Sequence, residues 1–164
     1  MRPSADGGSH GTWLHEQGEA ERLVVFGLRA IAFGMVEHPL VSQCFDRLVG
    51  QDAGAIMGHL MVLVRLTLLR SRKRLALHAP GCCCLGENEE LFLRLVRAAQ
   101  QPGEGSEMEL NTIFEDLTGE PPSEAVLMAA QVFAAELGVA GLWLDRTVDG
   151  KEPVASWRAG ATLH

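Results

Sequence analysis

The segment from Ile56 to Leu69 constrains this chain more than any other. Ile56, Leu60, Leu63 and Leu66 would cover one side of a helix, and Met57, Met61, Val62, Val64, Leu68 and Leu69 would cover most of the rest. A helix with so little polar face belongs at the centre of a bundle or inside a bilayer. Spanning a bilayer takes roughly 20 apolar residues. The run Ala55 to Leu69 is shorter and carries His59 and Arg65. It therefore reads as the central helix of a soluble bundle, and no membrane partner is expected.

Other segments offer faces that pack around such a centre. From Glu19 to Glu37, Leu23, Phe26, Ala30 and Phe33 recur at helical spacing, as do Val24, Leu28, Ile31 and Met35. Pro39 suits the first turn of a second helix. Its apolar face is Val41, Cys44, Phe45 and Leu48, and Gly50 stops it. Asp52 is the expected cap of the central helix, which runs to about Arg70. A fourth helix starts near Glu87, with Leu91, Leu95 and Ala98 along one side. Ser106 and Glu109 have the spacing of a capping box ahead of Leu110, Ile113, Phe114 and Leu117. Ser123 caps a last helix striped by Val126, Ala130, Phe133 and Leu137 and ended by Gly138. Asp149-Gly150 sits between two short apolar runs and suits the turn of a small C-terminal hairpin.

The expected fold is all-α: one compact bundle of about six helices over residues 19–164, behind a flexible polar leader at 1–18. The chain of 164 residues is long enough for one domain with a buried core. Aromatics are 5% and tyrosine is absent, so Leu, Val, Ala and Met must fill that core, a palette that favours helix over sheet.

The formal charge of −7 disfavours a general nucleic-acid binder, which needs clustered cations. Three of the four cysteines, Cys82, Cys83 and Cys84, are consecutive. Neighbouring cysteines cannot staple distant parts of a chain, so a reducing compartment is expected and the localisation is read as cytoplasmic. Met1 to Gly18 holds no apolar signal-peptide run.

The stretch His78-Ala79-Pro80-Gly81-Cys82-Cys83-Cys84 is where chemistry is expected. Thiolates and imidazole suit zinc and other thiophilic metals. In an extended chain side chains alternate, which would turn Cys82 and Cys84 one way and Cys83 the other. His78, Cys82, Cys84 and, less directly, Cys83 are the candidate metal ligands. The spacing matches neither a paired C-x-x-C ribbon nor a ferredoxin run, and small buried cysteines at a tight turn explain it as well. A thiol-redox role uses the same residues: Cys84 precedes the fourth helix, whose dipole would favour a thiolate, with Arg72, Lys73 and Arg74 nearby. Cys44, on an apolar face, is read as core. His59 is read as a satisfied core histidine.

Arg70, Arg72, Lys73 and Arg74 form the second candidate site, a surface for an acidic protein partner. Cations at a helix C-terminus also simply complement its dipole. No phosphate loop, G-x-S-x-G, H-E-x-x-H or EF-hand occurs, so nothing points to an enzyme. A helix like Glu21–Phe33, then a long apolar helix with a basic end, then Cys82-Cys83-Cys84 and an acid-led helix, resembles a small bacterial helical family of uncharacterised activity over about Glu21 to Gln100. The resemblance implies a cytoplasmic bacterial protein and supplies no catalytic residues. Two functional classes follow: a metal-binding or thiol-redox-responsive regulatory domain, or a non-catalytic interaction module using the basic stretch.

Overall fold

The computed structural model describes residues 12–144, and the expected C-terminal hairpin lies outside them. Among the described residues the architecture is all-α, without strands. A 3-10 turn, Leu14–Glu16, precedes α1, Glu19–Ala32. Then follow α2, Pro39–Val49; α3, Ala53–Arg70; α4, Glu87–Gln100; α5, Ser106–Thr118; and α6, Glu124–Val139. A 3-10 turn, Gly50–Asp52, joins α2 to α3. The two helices so joined form one helical stretch, Pro39–Arg70; counted as one, they make five helices where about six were expected.

The bundle core is aliphatic with four phenylalanines at its centre: Phe45, Phe92, Phe114 and Phe133. Ile56, Leu60, Leu63 and Val64 of α3 are wholly buried against α1 and α6. Gly27 lets α1 approach closely: a Cβ there would lie 2.5 Å from the Leu60 side chain and 2.9 Å from Phe45. Helix α3 is not sheathed on all sides, however. Val62 is 51% exposed and Leu69 82% exposed. By length and composition Pro39–Arg70 is apolar enough to cross a membrane, and a third of its most apolar window is buried within the fold.

Several helix ends differ from the sequence reading for local reasons. Helix α1 stops at Ala32, five residues early, because Gly34 takes a left-handed φ of 70°. The Met35 amide then reaches back to the Ala30 carbonyl, satisfying an otherwise orphaned acceptor. Asp52 makes no side-chain cap, since it is spent inside the 3-10 turn. Ser106 is the first residue of α5, not its cap, and its hydroxyl accepts from the Gly103 amide. Pro39, Gly50 and Ser123 act as expected. His38 adds a cap of its own, Nδ1 accepting from the Leu40 amide.

Gln100, buried at the end of α4, fastens the chain beyond α6. Its amide donates to the Leu142 carbonyl at 2.8 Å and accepts from the Leu144 amide at 2.9 Å.

Candidate functional site: a thiol loop clamped to a buried ion pair

Residues 71–86, between α3 and α4, contain the cysteine run and have no regular secondary structure of their own. What orders them is Arg29 of α1. Its side chain is fully buried, as is that of Glu89 in the first turn of α4. The two meet in a two-pronged pair: Arg29 Nε donates to Glu89 Oε1 at 2.7 Å and Nη2 to Oε2 at 2.8 Å. Such forked pairs fix geometry as well as charge. Burying two charges is favourable only when their remaining donors and acceptors are also satisfied. Here the cysteine loop does that. Arg29 Nη1 donates to the Cys82 carbonyl and Nη2 to the Cys84 carbonyl, both at 2.6 Å, with a longer contact of 3.4 Å to Ala79.

Glu89 is satisfied from the other side. It accepts from the backbone amides of His78, at 2.9 Å, and Gly86, at 2.8 Å. The His78 ring Nδ1 lies 3.2 Å from its second oxygen. Burial pushes this carboxyl up. The hydrogen bonds from Arg29, Gly86 and His78, with the Arg29 charge, outweigh that, and the group is held below its ordinary value of 4.5.

The loop also grips the segment ahead of α1. Leu14 donates to the Cys83 carbonyl at 2.8 Å, Leu85 donates to the Thr12 carbonyl at 2.9 Å, and Trp13 and Cys84 form an antiparallel bridge. Residues 12–14, within the segment read as a flexible leader, are thus tied to the cysteine loop.

No known family model, curated protein or solved structure matches this chain. The resemblance to a bacterial family finds no counterpart there, and the site stands on its own geometry.

Exposure alternates along the run: Cys82 and Cys84 are half-buried and Cys83 is exposed. All are free. Hydrogen bonding to the Cys82 side chain, then burial, then the charges of Cys82 and Cys83 push the Cys84 thiol above its ordinary 9.0. The thiolate expected at Cys84 is thus disfavoured by its own neighbours. The cations expected to favour it are turned elsewhere. Arg72 pairs with Glu120, and Lys73 Nζ donates to the Asp116 carbonyl at 2.8 Å. The Arg72 and Lys73 amides both reach the Thr118 carbonyl. This basic stretch caps the end of α5. Arg70 and Arg74 remain exposed without that engagement.

His78 is drawn to Glu89, and no group of three or more His, Cys, Asp or Glu side chains is placed to hold a metal among the described residues. Cys44, expected in the core, is exposed and lines a groove between α1 and α2. His59 is half-exposed between α3 and α6, its Nδ1 4.0 Å from Glu136, so it is not a satisfied core histidine.

Neither Arg29 nor Glu89 is among the candidate residues of the sequence reading. One local signal existed. Val25, Leu28 and Arg29 share the buried side of α1, so the arginine sits where a cation needs a partner.

Proposed function

We propose that this protein is a thiol-redox-responsive regulatory domain whose sensor is the Cys82/Cys84 pair. The observation that carries the reading is that the carbonyls of these same two residues are acceptors of buried Arg29. A change in the loop backbone is thereby transmitted to the core pair and to residues 12–14. Alternate residues of an extended chain are about 6.4–6.8 Å apart at Cα, the upper limit of what a disulfide tolerates. Joining Cys82 to Cys84 pulls the loop in and costs Arg29 its carbonyl contacts. Such a bond is strained, easily reduced, and suited to switching.

The chemistry is thiol–disulfide exchange with a low-molecular-weight disulfide. One cysteine thiolate attacks, forming a mixed disulfide and releasing one thiol. The second cysteine displaces the other thiol, so two cysteine protons and two electrons leave with the reduced partner. A thiophilic metal would draw on the same two sulfurs, with further ligands from elsewhere.

The test is peptide mapping with hydrogen exchange after treatment with oxidised glutathione. Formation of a Cys82–Cys84 disulfide, with faster exchange of the Leu14 and Leu85 amides, is expected. Both changes should vanish in Cys82→Ser and Cys84→Ser and reverse on reduction. Oxidation that leaves those amides protected, or thiols that never cross-link, would overturn the reading.

A second reading, a non-catalytic interaction module, draws on the exposed apolar side chains Val62 and Leu69 of α3 and Met128 and Val139 of α6. In that reading Arg70 and Arg74 are the cations free to meet an acidic partner, because Arg72 and Lys73 already serve α5.

A further inference from the structure

A groove of about 440 Å³ runs between α1 and α2. That volume is in the range of small-molecule sites, about 300–1,000 Å³. The local sequence makes it amphipathic. On α1, Leu23 and Phe26 supply apolar surface beside Arg22 and Glu19; on α2, Leu48 does so beside Arg47. Leu14 closes the lining, held by its bond to the Cys83 carbonyl. Both arginines are exposed, and neither has an ion-pair partner among the described residues. Two cations against one carboxylate leave the groove with one net positive charge, on a chain whose formal charge is −7.

We infer that this groove binds a monocarboxylate carrying an apolar chain. The apolar side chains cover the hydrocarbon. A guanidinium fork takes the carboxylate in two parallel hydrogen bonds. The charge count favours a monoanion over a phosphate dianion, which would face Glu19 with a second negative charge. The inference does not rest on the redox reading, since the ligand touches neither Cys82 nor Cys84; the two share only Leu14, which the Cys83 carbonyl holds, so the titration is run on the reduced protein. Cys44 also lines the groove and is exposed, so its thiol reports occupancy.

The experiment titrates the full-length chain with decanoate and follows alkylation of each cysteine by peptide mapping, with acetate and decanol as controls. Decanoate is expected to bind saturably and to slow Cys44 alkylation while leaving Cys83 unchanged. Acetate should not protect, and decanol should protect at higher concentration only. Arg22→Gln with Arg47→Gln should raise the decanoate concentration needed by about tenfold or more, the factor that corresponds to losing about 1.4 kcal/mol. Equal protection by decanol, an unchanged midpoint in the double variant, or no protection at all would each overturn the inference. So would protection of Cys44 by self-association in the absence of decanoate, which would assign the groove to a second copy.

Discussion

Three ion pairs among the described residues join arginine to glutamate across distant segments, and two of them, Arg29–Glu89 and Arg72–Glu120, differ in almost everything else. Arg29 and Glu89 are fully buried, forked, and satisfied by four loop residues. Arg72 and Glu120 lie at the surface, the arginine side chain 79% exposed. The first pair organises a loop that has no regular structure of its own. The second secures the end of a helix that water would otherwise solvate. Burial, not the identity of the charges, decides which pair the fold depends on: desolvation makes an unpartnered buried charge expensive, while solvent screens an exposed one.

The comparison breaks most readily at Arg29. Arg29→Met is expected to destabilise the protein by about 3–5 kcal/mol in urea unfolding, the usual cost of removing one partner of a buried pair. The loss comprises a stranded Glu89 carboxylate and the donors taken from the Cys82 and Cys84 carbonyls. A loss under about 1 kcal/mol would place this pair with ordinary surface bridges.

Acid sharpens the contrast. Glu89 is held below 4.5 in the fold, so the unfolded chain takes up its proton first. The stability it contributes is present above 4.5 and is lost as pH falls through the folded value. Glu89→Gln should therefore be much less stable than the parent at pH 7, and that gap should narrow at pH 3. A gap independent of pH would mean that the residue contributes shape and not charge.

The smallest effect is expected at the surface. Arg72→Ala should change stability by about 0–1 kcal/mol, less at high salt. A larger loss would show that Lys73 and the α5 terminus depend on Arg72 for their placement.

Legibility followed the range of the interactions. Pro39, Gly50 and Ser123 announced their helix ends because a ring, a missing Cβ and a hydroxyl act within one turn. Gly34 carried the same kind of signal but lay inside a persuasive apolar period, which was followed too far. Ser106 and Glu109 had the spacing of a capping box, yet the chain enters α5 through Gly105 at a φ of 89°, and the serine is displaced by one position. The cysteine run was conspicuous in the sequence, but the groups that hold it were not. Glu89 looked like any acid in a first turn. Cys44 looked like core from its spacing, and only the arrangement of α1 beside α2 leaves it in an open groove.

The amino-acid order alone determined that this chain is helical, which residues face inward on most of its helices, and that three of its four cysteines stand together at one bend. Those properties arise from side-chain periodicity and backbone preference over a few residues. Tertiary structure alone decided that Arg29 would meet a carboxylate 60 positions away and hold the Cys82 and Cys84 carbonyls. It likewise decided that α3 would keep an open side. Such contacts depend on how assembled helices pack, and many sequences with the same periodicity would pack differently.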